Sequence, residues 1–146
     1  MNAVRNYILV DDDPNNNIIS NIMLEMVLGK VNVTTFEVPE AALSYIQNDF
    51  SKILIPSILF LDINMPTLSG WEFLDEYKNF DEIIRNQISV YMLSSSVDQR
   101  DKERADANSI IKGFFTKPLE KDTILLIAGD YNYSNYCLSQ LHKFGN

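Results

Sequence analysis

The chain has 146 residues, 46% hydrophobic and 22% charged, which suits one globular domain and excludes a disordered or collagen-like chain. Its net charge of −8 disfavours direct DNA binding, because an acidic surface repels the phosphate backbone, and there is no polybasic membrane anchor. No apolar run approaches the ~20 residues of a membrane span, and neither a signal core nor an internal disulfide is indicated, so we expect a cytoplasmic protein.

Short apolar runs alternate with segments of helical period, which predicts an α/β fold with a parallel sheet and helices on both of its faces. A helix is predicted after each strand, the last two over residues 97–108 and 120–128. The five predicted strands cover residues 7–10, 31–36, 58–61, 88–93 and 110–115.

Two of the helices have clear start signals. Asp13 and Pro14 supply a cap and a first helical residue, and Ser69 with Glu72 predicts a capping box. The first helix ends at Gly29 and carries an apolar stripe that is expected to face the core. The stripe consists of Ile18, Ile22 and Met26, with Ile19, Met23 and Val27 beside them.

The fourth predicted helix, residues 97–108, is polar nearly all round. Its apolar side chains are only Val97, Ala105 and Ala107, and its candidate cap is Ser95 with Asp98. A helix with so little to bury gains little from packing, so we expect it to be marginally stable and mobile.

The compact domain is predicted to span residues 1–128, which leaves residues 129–146 as a tail or as an extension of the last helix. Two interpretations of this segment stay open: it packs on its own domain or frays, or it forms a surface for a partner or a second copy. Its apolar and aromatic side chains include Tyr131, Tyr133, Tyr136, Leu138, Leu141 and Phe144.

Three carboxylates follow wholly apolar strands: Asp11 and Asp12 after the first, and Asp62 after the third. The carboxyl ends of parallel strands share one edge of a sheet, where ligands bind, so the three side chains are expected to meet. Two such charges ~4 Å apart repel by about 4 kcal/mol at an effective dielectric near 20. Either the group is partly protonated or a divalent cation neutralises it, and oxygen ligands favour Mg²⁺ over zinc.

The same edge is expected to receive Ser94 from the fourth strand and Lys117 from the fifth. A hydroxyl and an ammonium group facing carboxylates suit an anionic group held between a metal ion and lysine, as in phosphoryl transfer. A carboxylate can itself be the nucleophile and form an aspartyl phosphate.

Four motifs stand in order along the chain, each placed after an apolar strand. With them, residues 5–128 resemble the receiver domain of two-component response regulators. The motifs are Val10-Asp11-Asp12-Asp13, Leu61-Asp62-Ile63-Asn64-Met65-Pro66 followed by Gly70, Leu93-Ser94-Ser95, and Lys117-Pro118.

The resemblance implies a flavodoxin-like, doubly wound sheet with strand order 2-1-3-4-5. It also implies that Asp62 accepts a phosphoryl group from a sensor histidine kinase or a histidine phosphotransfer protein. Asp12 would bind Mg²⁺ directly and Asp11 through water, with Asp62 and the backbone carbonyl of Asn64 as further ligands.

The remaining roles implied by the resemblance concern the phosphoryl group and the switch. Lys117, before an expected cis Lys117-Pro118 bond, would pair with one phosphoryl oxygen, and Ser94 would hydrogen-bond another. Phe114, where relatives often have tyrosine, would turn inward when Ser94 moves, and Ser95 stands where alanine is frequent. The output surface would be the fourth helix, fifth strand and fifth helix, and it would bind a protein target that the sequence does not name.

The resemblance implies a stand-alone receiver, although a domain cut from a longer protein would look the same. Such a receiver would be a signalling phospho-acceptor rather than an enzyme, limited to its own phosphorylation and dephosphorylation. Whether phosphorylation drives dimerisation is open. Two other functions are compatible with this fold class: a binding module that works without phosphate, and a Mg²⁺-dependent phosphatase. The first is disfavoured by the intact set of Asp11, Asp12, Asp62, Ser94 and Lys117. Such phosphatases commonly carry a second acid two positions after the nucleophile, where this chain has Asn64.

Overall fold

The computed structural model of the chain describes residues 4–96 and 98–128; the predicted tail and Val97 lie outside them. Within the described residues, one parallel sheet has the order β2-β1-β3-β4-β5, which confirms the expected doubly wound fold. Its strands are β1 (Asn6–Val10), β2 (Asn32–Phe36), β3 (Ser57–Asp62), β4 (Ile88–Ser94) and β5 (Ile111–Thr116).

Helices flank this sheet on both faces, as predicted. The connection between the second helix and β3 contains a 3₁₀ turn, Phe50–Lys52, and a single helical turn that was not predicted, Glu82–Arg85, precedes β4. The longer helices are α1 (Pro14–Leu28), α2 (Pro39–Asn48), α3 (Gly70–Tyr77), α4 (Gln99–Asp106) and α5 (Lys121–Ala128). No described helix is both long and apolar enough to span a bilayer.

Alternate side chains of the strands fill two cores, one on each face of the sheet. Because β1 and β3 are central, every residue in them is buried. The core beneath α2 and α3 includes Ile8, Val10, Leu59, Leu61, Phe73, Leu74 and Tyr77. The core beneath α1 and α5 includes Tyr7, Leu9, Leu24, Ile58, Phe60, Ile124 and Ile127.

The prediction that the apolar stripe of α1 faces the core is wrong. Met26 is 75% exposed, and the residues that face the sheet are Asn17, Ser20 and Leu24. The Asn17 side chain binds backbone carbonyls at the ends of β1 and β2, and this fixes the rotation of α1. The apolar stripe therefore lies on the side of α1 that adjoins its buried face, and not on the buried face itself. Exposed with Met26 are Ile18, Ile19 and Ile22, whereas Met23 and Val27 are half-buried.

The helix starts agree with the sequence patterns at α1 and α3. The Asp13 carboxylate accepts a hydrogen bond from the Asn15 amide at 2.9 Å, and Ser69 with Glu72 forms both bonds of a capping box. Helix α4 is shorter than predicted because Asp98, and not Ser95, is its N-cap. Ala105 is the one buried residue of α4, as the polar sequence of this helix indicated.

Candidate functional site

The ends of four strands place polar residues at the carboxyl edge of the sheet. Asp11 directly follows β1, Asp62 and Ser94 end β3 and β4, and Lys117 directly follows β5. The parallel register aligns these strand ends, since Asp62 is the partner of Leu93 and Ser94 is level with the last residue of β5. The structure therefore brings together the residues that the sequence predicted at this edge.

The ammonium group of Lys117 joins two of the acidic side chains. Its Nζ lies 2.6 Å from Oδ2 of Asp11 and 3.0 Å from Oδ1 of Asp62. The backbone amide of Lys117 donates to the Ser94 carbonyl at 2.7 Å, so the loop after β5 is tied to the end of β4. The Lys117-Pro118 peptide bond is cis, as the family resemblance implied.

Asp11, Asp12 and Asp62 form a cluster in which one carboxylate oxygen from each lies within 4.8 Å of the others. An all-oxygen donor set is what Mg²⁺ prefers, and Asp12, the more open member, leaves room for the water ligands that this ion retains. The three side chains thus fit a Mg²⁺ ion. Asn64 is exposed on the loop after β3, and the role of its carbonyl stays a prediction.

Burial and neighbouring charges perturb two groups of the site. Burial raises the pKa of Asp62 to about 6, the Lys117 hydrogen bond opposes that rise, and the Asp11 charge adds to it. Burial alone would lower the pKa of Lys117, but its bonds to Asp11 and Asp62 outweigh burial and raise it. At neutral pH the Asp62 carboxylate is therefore largely ionised and paired with a cation.

The acidic loop is held by a residue that the sequence analysis did not single out. Asn17 is buried, and its Nδ2 donates to the carbonyls of Asp11 at 3.0 Å and Phe36 at 3.2 Å. A carboxylate oxygen of Asp11 also accepts from the Asp13 amide at 2.9 Å. Asn17, Ser20 and Leu24 form the buried face of α1 at helical spacing, but two of the three are polar, so no apolar pattern marks this face.

Ser94 lies at the predicted edge, but its hydroxyl is engaged within its own loop. Its Oγ donates to the Ser96 carbonyl at 2.7 Å, and the side chain is 1% exposed. Phe114 is half-buried and packs against the core beneath α2 and α3, and its register partner in β4 is Met92. Both predicted switch residues thus lie near the carboxyl edge, on neighbouring strands.

Gly70, the first residue of α3, is pressed against the end of β3. Its amide donates to the Ile63 carbonyl at 2.7 Å. A Cβ atom there would lie 2.6 Å from the Asp62 carbonyl oxygen and 2.9 Å from Cε of Met92. Only glycine allows this close approach without a shift of the backbone.

A doubly wound sheet of this order, with clustered carboxylates and a lysine at its carboxyl edge, defines a class of phospho-accepting signalling domains. The family model "Response regulator receiver domain" matches residues 7–128. The chain belongs to this family, whose members accept phosphoryl groups in two-component signalling. They bind Mg²⁺ at an acidic cluster and interact with histidine kinases or phosphotransfer proteins.

Solved structures support this assignment. A response regulator receiver protein from Dyadobacter fermentans is 29% identical, with 82% of this chain and 94% of that chain covered and a TM-score of 0.74. A two-component response regulator from Cytophaga hutchinsonii is 27% identical, with 95% and 99% covered and a TM-score of 0.79. The chemotaxis protein CheY4 of Vibrio cholerae shares the fold. It is 21% identical, with 84% of this chain and 94% of that chain covered and a TM-score of 0.66. Among curated proteins, the chain has no significant match.

Proposed function

We propose that the chain accepts a phosphoryl group on Asp62 from a phosphohistidine of a sensor kinase or a phosphotransfer protein. The observation that carries the proposal is the Lys117 ammonium group, which bridges Asp11 and Asp62 in a pocket of three carboxylates. A cation placed between a candidate nucleophile and an acidic cluster suits the binding and stabilisation of an anionic phosphoryl group.

In the proposed transfer, one Asp62 oxygen attacks phosphorus and forms a P–O bond while the P–N bond to the donor imidazole breaks. The bonding electron pair stays on the imidazole nitrogen, which takes a proton from solvent. Lys117 exchanges part of its contact with Asp62 for a phosphoryl oxygen and so balances the developing charge. With its pKa raised to about 6, the Asp62 carboxylate is still largely ionised, and therefore nucleophilic, at neutral pH.

Asp12 and Asp62 would hold Mg²⁺ directly, with the Asn64 carbonyl as a further ligand and Asp11 acting through coordinated water. When bound, the ion supplies positive charge to the transferring phosphoryl oxygens. The burial of Asp11 and Asp62 supports this assignment, since two buried carboxylates beside a third favour a counter-charge larger than one ammonium group.

The switch is proposed to begin at Ser94. A phosphoryl group adds roughly −1.5 to −2 charge, which attracts the Ser94 hydroxyl away from the Ser96 carbonyl that it now contacts. Phe114 would then turn inward, and the surface of α4, β5 and α5 would change for a protein target. Phe114 lacks the phenolic hydroxyl that relatives often carry, so the new position would rest on packing alone.

We also propose where the protein acts and what it contacts. Residues 1–128 would act as a cytoplasmic signalling domain by protein contact, without turnover of other substrates and without contact with DNA or a membrane. Whether phosphorylation drives dimerisation stays open, and residues 129–146 lie outside the described ranges.

The proposal is tested by intact-mass measurement after incubation with acetyl phosphate and Mg²⁺. The wild type is expected to gain one phosphoryl group, and Asp62→Asn and a chelated sample are expected to gain none. Asp13→Asn is the matched control, because Asp13 caps α1, lies outside the carboxylate cluster, and should leave the adduct intact.

Rapid dephosphorylation could hide the adduct, so binding of beryllofluoride, which resists hydrolysis, is measured in parallel. Neither an adduct nor beryllofluoride binding by the folded wild type would contradict the proposal and favour a module that works without phosphate. Sustained turnover of a phosphoester would instead favour the phosphatase.

A further inference from the structure

Helix α4 has few attachments to the rest of the molecule. Ala105 is its one buried residue, and most of its other side chains face solvent. On the same helix, the guanidinium carbon of Arg104 lies 4.5 Å from the centroid of the Trp71 ring. Arg104 forms no ion pair with any residue in the described ranges, so the ring is its principal partner there.

Trp71 is itself fixed to the phospho-acceptor segment. It is only 8% exposed, and it follows Gly70, whose amide binds the Ile63 carbonyl at 2.7 Å. The start of α3 also lies against the Asp62 carbonyl so closely that Gly70 has no room for a Cβ atom. A shift of the backbone at Asp62 must therefore move Gly70 and, with it, the Trp71 ring.

We propose that the Trp71–Arg104 contact holds α4 in the arrangement seen here and links α4 to the backbone of Asp62 through the start of α3. A guanidinium group over an indole face is attractive because the ring face is negative, and the contact supplies α4 with an anchor that its polar sequence lacks. This link between Asp62 and α4 is separate from the proposed switch at Ser94, because it runs through the end of β3 and the start of α3, whereas Ser94 lies on β4.

The proposed link between α4 and Asp62 rests on the proposed function, whereas the proposal that the contact holds α4 does not. A phosphoryl group on Asp62 introduces negative charge at the end of β3, and the backbone carbonyl of the same residue lies against Gly70 at the start of α3. If the contact favours the unphosphorylated arrangement, any ligand that favours the other arrangement must overcome it. Removal of the contact should therefore increase the affinity of the site for a phosphoryl mimic.

The test compares Arg104→Gln with Lys102→Gln in the full chain. Lys102 lies on the same helix, is exposed and forms no ion pair with any described residue, so the control removes the same charge without the ring contact. Amide hydrogen exchange of α4 is measured without phosphoryl mimic. Arg104→Gln is expected to exchange about two- to fivefold faster than Lys102→Gln, the range that an exposed cation–π contact supplies.

Trp71 is the only tryptophan of the chain, so its emission gives a second readout of the contact. The emission should change in Arg104→Gln and stay as in the wild type in Lys102→Gln. Equal exchange of α4 in the two variants would overturn the proposal that the contact holds this helix.

Beryllofluoride affinity in Mg²⁺ tests the link to Asp62. Arg104→Gln is expected to bind about two- to fivefold more tightly than Lys102→Gln, and equal affinities would overturn the link. If the wild type binds no beryllofluoride, the proposed function fails and the link fails with it. The exchange comparison still decides whether the contact holds α4.

Discussion

At the scale of single residues, the site balances three carboxylates against one ammonium group. Lys117 lies within 3.0 Å of both buried acids, while Asp12 stands toward solvent. Burial of Asp62 outweighs its contact with Lys117, and the result is a raised pKa. The metal-free protein therefore retains an acceptor whose ionised form is costly to bury.

This imbalance predicts that Asp62→Asn stabilises the metal-free protein at pH 8 by about 1–2 kcal/mol. The shift of the Asp62 pKa from 3.8 to about 6 sets an upper limit near 3 kcal/mol, which we reduce for solvent screening. Lys117 keeps Asp11 as a partner in the variant. Chemical denaturation in EDTA gives the free energy of unfolding.

The raised pKa of Asp62 also determines whether stability rises or falls with pH. The folded state binds the Asp62 proton more tightly than the unfolded state, so the wild type loses stability as pH rises from about 4 to about 6. The advantage of Asp62→Asn should shrink as pH falls through this window. A pH-independent difference in the free energy of unfolding between Asp62→Asn and the wild type would contradict the explanation.

Individual residues also show what sequence reasoning can reach. Asp62 and Lys117 were predictable because each follows an apolar run, and parallel strands bring such ends together. Asn17 was missed because its role depends on the rotation of α1. The contact of Trp71 with Arg104 depends on how two helices lie in space, and no local pattern carries that information.

At the scale of elements, α1 shows why an apolar stripe is an incomplete guide. The caps of α1 and α3 followed from the sequence and the strand order followed from the family resemblance. In α2 the buried face consists of apolar residues, Ala42, Leu43 and Ile46 among them. In α1 the bonds of Asn17 to two strand ends override the apolar spacing. A polar anchor next to a ligand site can thus set the face that a helix buries.

This arrangement predicts unequal effects along α1. Leu24→Ala should lower the free energy of unfolding by about 2–5 kcal/mol, because Leu24 is fully buried and its loss leaves a cavity. Met26→Ala should change it by less than about 0.5 kcal/mol, because Met26 is 75% exposed. Urea denaturation of both variants distinguishes this helix face from the predicted stripe, for which Met26→Ala would be the costly change.

At the scale of the whole molecule, metal binding and stability should be linked. Mg²⁺ at ten times its dissociation constant is expected to stabilise the fold by about 1.4 kcal/mol, which raises Tm by roughly 4 °C for a domain of this size. Asp12→Asn should lose most of this increase, and Asp13→Asn should keep it, since Asp12 alone of the two belongs to the cluster. Equal increases in Tm for these two variants would contradict the assignment of the cluster as the Mg²⁺ site.

The pairing of Lys117 with Asp11 and Asp62 also has a consequence for biosynthesis. The acidic side chains leave the ribosome long before the lysine that neutralises them, because Asp11 follows the first strand and Lys117 the last. A nascent chain that stops short of β5 carries the acceptor without its cation and with the edge of β4 unpaired. Under the proposed function, a partly synthesised molecule would therefore lack both the ammonium group that balances the phosphoryl charge and the last strand of the sheet.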